Sequence, residues 1–264
     1  METNVLVFDT ETTSVEKPFA YDLGYIIMNR NGEILLRKSF VIEQVWHNLP
    51  LFESAYYKEK RPTYVSEMRG KRTVMTKFGY AMSEMARDVR NYNVSAVYAF
   101  NSDFDDKVFS FCCDWFKVRN PIESIPVFDI WAYASNFISN TESYQDFCEA
   151  NNRFTESGNF SGNAETLYQF LTHDPLFEEA HHGLADAEIE AAILYECIQR
   201  GAKWEHEYKC KRVLYRDLET PYTVKVNGNI VHEGLYIKKY VRNGLYCFTE
   251  KPTEEPQERE VSED

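Results

Sequence analysis

Three short stretches of this chain carry residue types that can do chemistry. The first, Phe8-Asp9-Thr10-Glu11-Thr12-Thr13, puts two carboxylates two positions apart, directly after the apolar run Val5-Leu6-Val7-Phe8. Four apolar residues in succession predict a buried strand, and residues two apart on a strand share a face. Two anions side by side repel unless a cation sits between them, and hard oxygen ligands favour magnesium or manganese. The second stretch, Asn101-Ser102-Asp103-Phe104-Asp105, falls where a strand gives way to a helix. The third, His181-His182-Gly183-Leu184-Ala185-Asp186-Ala187, falls where a loop gives way to a helix. A histidine titrates near neutrality and can take a proton from a reacting group. Each stretch alone has an ordinary explanation: solvated acids, helix caps, a surface histidine. Three in one chain are harder to dismiss.

The elements that must position these residues can be read from periodicity. After the opening strand, an apolar stretch at 21–29, a turn at Asn29-Arg30-Asn31-Gly32 and a strand at 34–42 predict an antiparallel meander. Asp9 and Glu11 then stand at the C-terminal end of its first strand. Helix 76–92 carries an apolar stripe of Phe78, Met82, Met85 and Val89. A strand at 94–100, a helix at 103–118 and a short strand at 125–130 follow; Phe104, Val108, Phe111, Cys112 and Trp115 form the helix's expected inner face. Helical pieces are expected at 132–138, 144–150 and 164–171, with a Gly- and Asn-containing loop before the last. In helix 186–200, Asp186 shares the buried stripe of Ile189, Ile193 and Cys197, where a carboxylate is costly unless paired or bound to a metal. Strand–helix alternation after a meander predicts an α/β domain with a mixed sheet.

The segment 43–77 is less regular and holds the main basic cluster: Lys58, Lys60, Arg61, Arg69, Lys71, Arg72 and Lys77, opposed only by Glu59 and Glu67. Its aromatics, among them Trp46, Phe52, Tyr56, Tyr57 and Tyr64, suit either a hydrophobic core or a single-stranded backbone with stacked bases.

Taken together, the three stretches resemble the DEDD exonuclease superfamily in its His-containing branch, which includes proofreading exonuclease subunits, ribonuclease T and oligoribonuclease. Asp9 and Glu11 match the F-D-x-E-T-T motif. Asp105, with Asn101 and Phe104, matches N-x-x-F-D, and His181 with Asp186 matches H-x-x-x-x-D. Spacing favours Asp105 over Asp103 and His181 over His182. Ser14 departs from the pattern, since many relatives carry Gly there. The resemblance implies a ribonuclease H-like mixed sheet flanked by helices over 1–201; beyond it, short β-like runs with turns at Asn227-Gly228 and Asn243-Gly244 predict a small β-rich appendage at 202–249, and Pro- and Glu-rich composition predicts a disordered acidic tail at 250–264. The resemblance also implies a metal-dependent 3′→5′ exonuclease with Asp9, Glu11, Asp105 and Asp186 holding two divalent cations, Mg2+ or Mn2+. Asp9 would bridge them, Glu11 and Asp186 would complete the first site and Asp105 would serve the second. His181 would be the general base, on a loop that closes on substrate. Thr12, Thr13, Asn101 and Phe104 would contact the terminal nucleotide. The expected partners are single-stranded DNA or RNA 3′ ends, DNA first, and a polymerase or other nucleic-acid-processing protein. Two other readings stand beside it: a phosphodiesterase of RNA or small oligonucleotides, and a non-catalytic binding module on the same fold.

Composition bounds these readings. The formal net charge is −13, and the final fifteen residues hold seven acids against two bases. So acidic a chain does not rely on non-specific duplex-DNA binding, though bound cations can reverse a local field. None of the six cysteines forms a C-x-x-C pair, so buried free thiols in a reducing compartment are expected. With no signal-peptide pattern and no apolar run long enough to span a bilayer, the expectation is a soluble intracellular protein that does not meet a membrane.

Overall fold

The alternation of apolar runs and helix signals produces a six-stranded mixed sheet with helices on both faces. The computed structural model describes residues 3–156, 159–211, 218–226, 229–241 and 245–250. Strands β1 (Asn4–Thr12), β2 (Ala20–Met28) and β3 (Ile34–Ile42) form the expected antiparallel meander. In the turn between β2 and β3, Asn29 Oδ1 accepts from the amides of Asn31 and Glu33, and Gly32 takes a φ of 82° that a side chain would resist.

The irregular segment becomes α1 (Glu43–Trp46), α2 (Leu49–Phe52), a 3-10 turn (Lys58–Lys60) and α3 (Arg61–Arg69). It ends in β4 (Val74–Thr76), an edge strand parallel to β3 that the sequence did not announce. Next come α4 (Phe78–Asn91), β5 (Val94–Ala99), α5 (Ser102–Phe116), β6 (Val127–Asp129), α6 (Ile130–Phe137), α7 (Glu142–Ala150), α8 (Ala164–Thr172) and α9 (Gly183–Gln199). The sheet order is β4-β3-β2-β1-β5-β6, with β5 parallel to β1 and β6 parallel to β5. Strands β7 (Leu218–Val226), β8 (Asn229–Val241) and β9 (Leu245–Glu250) form a second, antiparallel sheet. The turns expected at Asn227-Gly228 and Asn243-Gly244, and the tail beyond Glu250, lie outside the described residues.

Strand alternation decides which face receives the chemistry. Leu6 and Phe8 pack with Phe78, Met82, Val108 and Phe109 on the α4–α5 side, where Phe8 meets Phe109 edge to face at 5.2 Å. Val5 and Val7 pack with Tyr133, Leu167, Ile189 and Ile193 on the α6–α9 side. Asp9 and Glu11 continue the Val5–Val7 row and so stand on the α9 side.

Helix α5 differs from expectation at one end. Its buried stripe is Asp105, Val108, Phe109, Cys112 and Cys113, which leaves Trp115 63% exposed beside Phe19 and Phe111. The stripe's centre lies a residue away from the expected one, and the same rotation turns Asp105 inward. Cys112, Cys113, Cys148 and Cys197 are buried free thiols, while Cys210 is exposed. Among the described residues no helix is long and apolar enough to cross a membrane.

Candidate active site

The site forms where the C-terminal end of β1 meets the first turn of α9. In the β1–β2 ladder Asp9 lies opposite Gly24, and Glu11 opposite Asp22. A Cβ on Gly24 would fall 1.9 Å from the Leu184 amide nitrogen, so the start of α9 rests on the bare backbone of β2. That approach delivers Asp186, which is buried. Its Oδ2 accepts from the His182 amide at 2.7 Å, capping the helix, and its Oδ1 is buried with no protein partner.

Asp105 arrives from the opposite layer. Asn101 turns the chain out of β5 in a left-handed conformation, φ 57°, and its amide donates to Asp129 Oδ1 at 2.9 Å. Asparagine tolerates that backbone better than most residues. Helix α5 then begins, and Asp105 Oδ1 accepts the Thr10 hydroxyl at 2.6 Å. Thr10 is thus a link from β1 to Asp105, lying between Asp9 and Glu11.

Burial, with charge crowding behind it, governs the acids of this corner. Burial, then repulsion from Asp105, Glu190, Glu11 and Asp186, holds the Asp9 carboxyl well above the usual carboxylate range. Burial and then Asp186 push Glu11 up to about 9, while Lys60 pulls it down. Burial, with Glu179 next, pushes Asp186 up to about 8. Burial pushes Asp105 up to about 7, against the hydrogen bond from Thr10. Acids that resist ionisation for want of counter-charge fit a divalent cation. Ligand atoms of Glu11, His181 and Asp186 lie within 4.8 Å of one another, and the orphaned Asp186 Oδ1 lacks the partner that a buried carboxylate oxygen requires. The residues present therefore fit a bound metal ion.

The two histidines part company. His181, at φ 48°, belongs to the group with Glu11 and Asp186. Its ring stacks on Tyr57 at 4.1 Å and 11°, and its Nδ1 lies 4.0 Å from Glu179 Oε2. Burial, then the nearby Lys60, lowers its pKa and favours the neutral imidazole. His182 is buried behind the site. It stacks on Tyr64 at 4.7 Å, with Nδ1 3.7 Å from Asp22 Oδ2 and Nε2 against Glu67 Oε2.

The other sequence candidates are more dispersed. Thr12 is half-buried at the β-bulge that ends β1. Thr13 is fully buried, its hydroxyl donating to the Lys17 carbonyl at 3.0 Å, so its side chain supports the loop. Ser14 Oγ accepts from the Lys17 amide in the same turn. Asn101 is exposed at the head of α5, and half-buried Phe104 packs on the core.

Two residues near the acids, Asp22 and Glu190, escape notice in the sequence, and a third, Lys60, stands out there only as one of a basic cluster, with nothing to place it beside them. Asp22 is fully buried and accepts from the Tyr64 hydroxyl and the Gly183 amide, both at 2.8 Å. An acid inside the apolar run of β2 was the available signal. Glu190 is buried one turn beyond Asp186 and accepts from the Phe100 amide at 3.2 Å; helical spacing from Asp186 could have found it. Lys60 donates to the Ala180 carbonyl beside His181, a pairing 120 positions apart that no local pattern reveals.

No sequence-family model matches this chain, and no curated protein matches it. Solved structures do resemble it. One is the nuclease domain of 3′hExo, a DEDDh family member, bound to rAMP, at 14% identity over 76% of this chain and 94% of that one, with a TM-score of 0.53. Another is E. coli exonuclease I in complex with a dT13 oligonucleotide, at 14% identity over 74% of this chain and 40% of that one, TM-score 0.50. A product-bound exonuclease I gives 12% identity, 73% and 42% coverage, and TM-score 0.50. This chain thus spans less than half the length of exonuclease I. At these identities the likeness is one of fold: the ribonuclease H-like mixed sheet flanked by helices that the three motifs implied is the fold of this chain, and it is similar in fold to DEDDh exonucleases.

Proposed function

We propose that this protein is a metal-dependent 3′→5′ exonuclease that hydrolyses phosphodiester bonds at single-stranded 3′ ends, releasing nucleoside 5′-monophosphates. The observation that carries this reading is the group of Glu11, His181 and Asp186, whose ligand atoms lie within 4.8 Å of one another, with Asp9 on the same face of β1 as Glu11 and Asp105 tied to that strand through Thr10. A structural role does not call for so many repelling carboxylates in one buried corner.

Asp9, Glu11, Asp105 and Asp186 would hold two divalent cations, with Asp9 between the two groups. When bound, such ions lower the pKa of the attacking water and neutralise the leaving oxygen. His181 accepts the proton from that water as its oxygen bonds to phosphorus. The bond from phosphorus to the 3′ oxygen of the preceding nucleotide breaks, and that oxygen takes a proton from solvent to become the new 3′ hydroxyl. Thr10 ties Asp105 to β1 between Asp9 and Glu11 through its hydrogen bond, and Tyr57 stacks on the His181 ring. Thr12, the backbone at Thr13, Asn101 and Phe104 would line the pocket for the terminal nucleotide.

DNA is the favoured strand, supported by the shared fold of exonuclease I crystallised with dT13. RNA is the second reading, supported by 3′hExo with rAMP. The test is degradation of 5′-labelled DNA and RNA oligonucleotides and dinucleotides with Mg2+ or Mn2+. Shortening from an unblocked 3′ end, arrest by a blocked 3′ end, and loss in Asp9→Ala and His181→Ala are expected. Full activity of either variant, or internal cuts, would overturn the assignment.

A further inference from the structure

We propose that the corner formed by Tyr56 and Lys60 docks the single strand as it enters the site, Tyr56 stacking on a base and Lys60 pairing with a phosphate. This deepens the exonuclease reading and rests on it. The corner belongs to the stretch from α1 to α3, whose aromatics divide between core and surface. Trp46, Phe52 and Tyr64 are buried and pack on one another edge to face. Tyr56, four residues beyond Phe52, is 81% exposed and has no place in that core. Its ring meets Tyr57 edge on at 4.8 Å, and Tyr57 stacks flat on His181. A continuous aromatic path therefore runs from solvent at Tyr56 to the base that would accept the proton.

Lys60 completes the path. Its Nζ lies 5.1 Å from the centre of the Tyr57 ring and donates to the Ala180 carbonyl. Its charge acts on Glu11, His181 and Asp186 alike, so it stands within electrostatic reach of all three. Arg61, by contrast, lies over the rings of Trp46 and Phe52, and Lys58 pairs with Glu53 at 3.4 Å. The chain as a whole is acidic, so a cation beside this particular set of acids marks where an anion is to be received. Stacked aromatics with an adjacent cation are how single strands are held without sequence preference. Duplex DNA would not place a base face on Tyr56.

The test measures binding of a 5′-labelled ten-nucleotide single strand with a phosphorothioate 3′ end, by fluorescence anisotropy over a range of salt. Tyr56→Ala is expected to weaken binding about fivefold or more, and Tyr56→Phe to restore it, because stacking needs only the ring. Lys60→Ala is expected to lower the salt dependence by about 0.7 in log–log slope, the value for one phosphate contact on a single strand, and Lys60→Arg to restore it. Wild-type affinity in both alanine variants, with the wild type itself binding, would sink this inference alone. Failure of the wild type to bind or shorten any single strand would sink the exonuclease reading beneath it. Since Tyr56 is exposed, an unchanged melting temperature in its variants separates lost docking from lost folding.

Discussion

Gly24 and Gly183 meet backbone to backbone, and neither position has room for a methyl group. A Cβ on Gly183 would lie 2.7 Å from the Gly24 nitrogen and 3.0 Å from the Asp9 carbonyl oxygen. This contact seats α9 on the sheet and sets the separation of Asp186 from Asp9. The neighbouring atoms are backbone, so they cannot swing aside as a flexible side chain would. Gly24→Ala is therefore expected to cost about 1–3 kcal/mol or more in urea denaturation, as overpacking does. It should weaken Mn2+ binding even where the variant remains folded. Calorimetric titration that shows unchanged metal affinity in a folded Gly24→Ala protein would refute the link between this contact and the acidic site.

The crowded acids predict an unusual response to pH. Asp105, Asp186 and Glu11 have ordinary values near 3.8–4.5 and are pushed up to about 7, 8 and 9 in the folded chain. The native state then binds more protons than the unfolded state between those limits, so stability falls as pH rises. Metal-free protein is expected to melt at progressively lower temperature from about pH 4.5 to pH 9. Saturating Mn2+ should flatten that slope by supplying the missing charge. Thermal melts in chelator and in Mn2+ across this range check the point; parallel slopes in the two series would contradict it.

Much of this is legible in the sequence, and the reason is local. Val5 to Glu11 announces its strand by composition and its chemistry by alternation, and Asp186 announces its burial by helical spacing from Ile189. What stayed hidden depends on contacts between distant segments. Lys60 reaches Ala180, and Asp22 reaches Gly183, across 120 and 161 positions. β4 is three residues long and is defined by its pairing to β3, so propensity alone could not raise it above a loop. Trp115 departs from the expected stripe because a stripe drawn on apolar residues alone omits Asp105, the polar residue that centres the buried face.

Asp22 supplies a second prediction about how α9 is held. One buried oxygen accepts from both the Tyr64 hydroxyl and the Gly183 amide. Asp22→Ala would leave both donors unsatisfied, at an expected cost of about 1–3 kcal/mol each before relaxation. Asp22→Asn keeps an acceptor oxygen in place and should lose much less. If denaturant midpoints of the two variants coincide, the hydrogen bonds are not what anchors the start of α9.

Glu190 is the sharpest case, because it is a buried acid beside Asp105 and Asp186 that the motifs do not call for. Burial, then Asp105 and Asp186, holds its carboxyl well above the usual range, and one oxygen accepts from the Phe100 amide. Glu190→Gln keeps an acceptor for that amide and the side-chain shape while removing the ionisable carboxyl. Two effects of opposite sign follow from the same removal. Without metal, the cost at pH 8 of either protonating this carboxyl or ionising it beside the other acids disappears, so the variant should melt higher than wild type. With metal, the field that attracts the cation is weaker, so Mn2+ affinity should drop severalfold. A purely structural Glu190 would show neither, since the hydrogen bond to Phe100 survives the change. Melting in chelator and calorimetric Mn2+ titration read the two effects separately. A variant that binds Mn2+ as tightly as wild type would leave Glu190 as a helix-docking residue and return the site to its four acids.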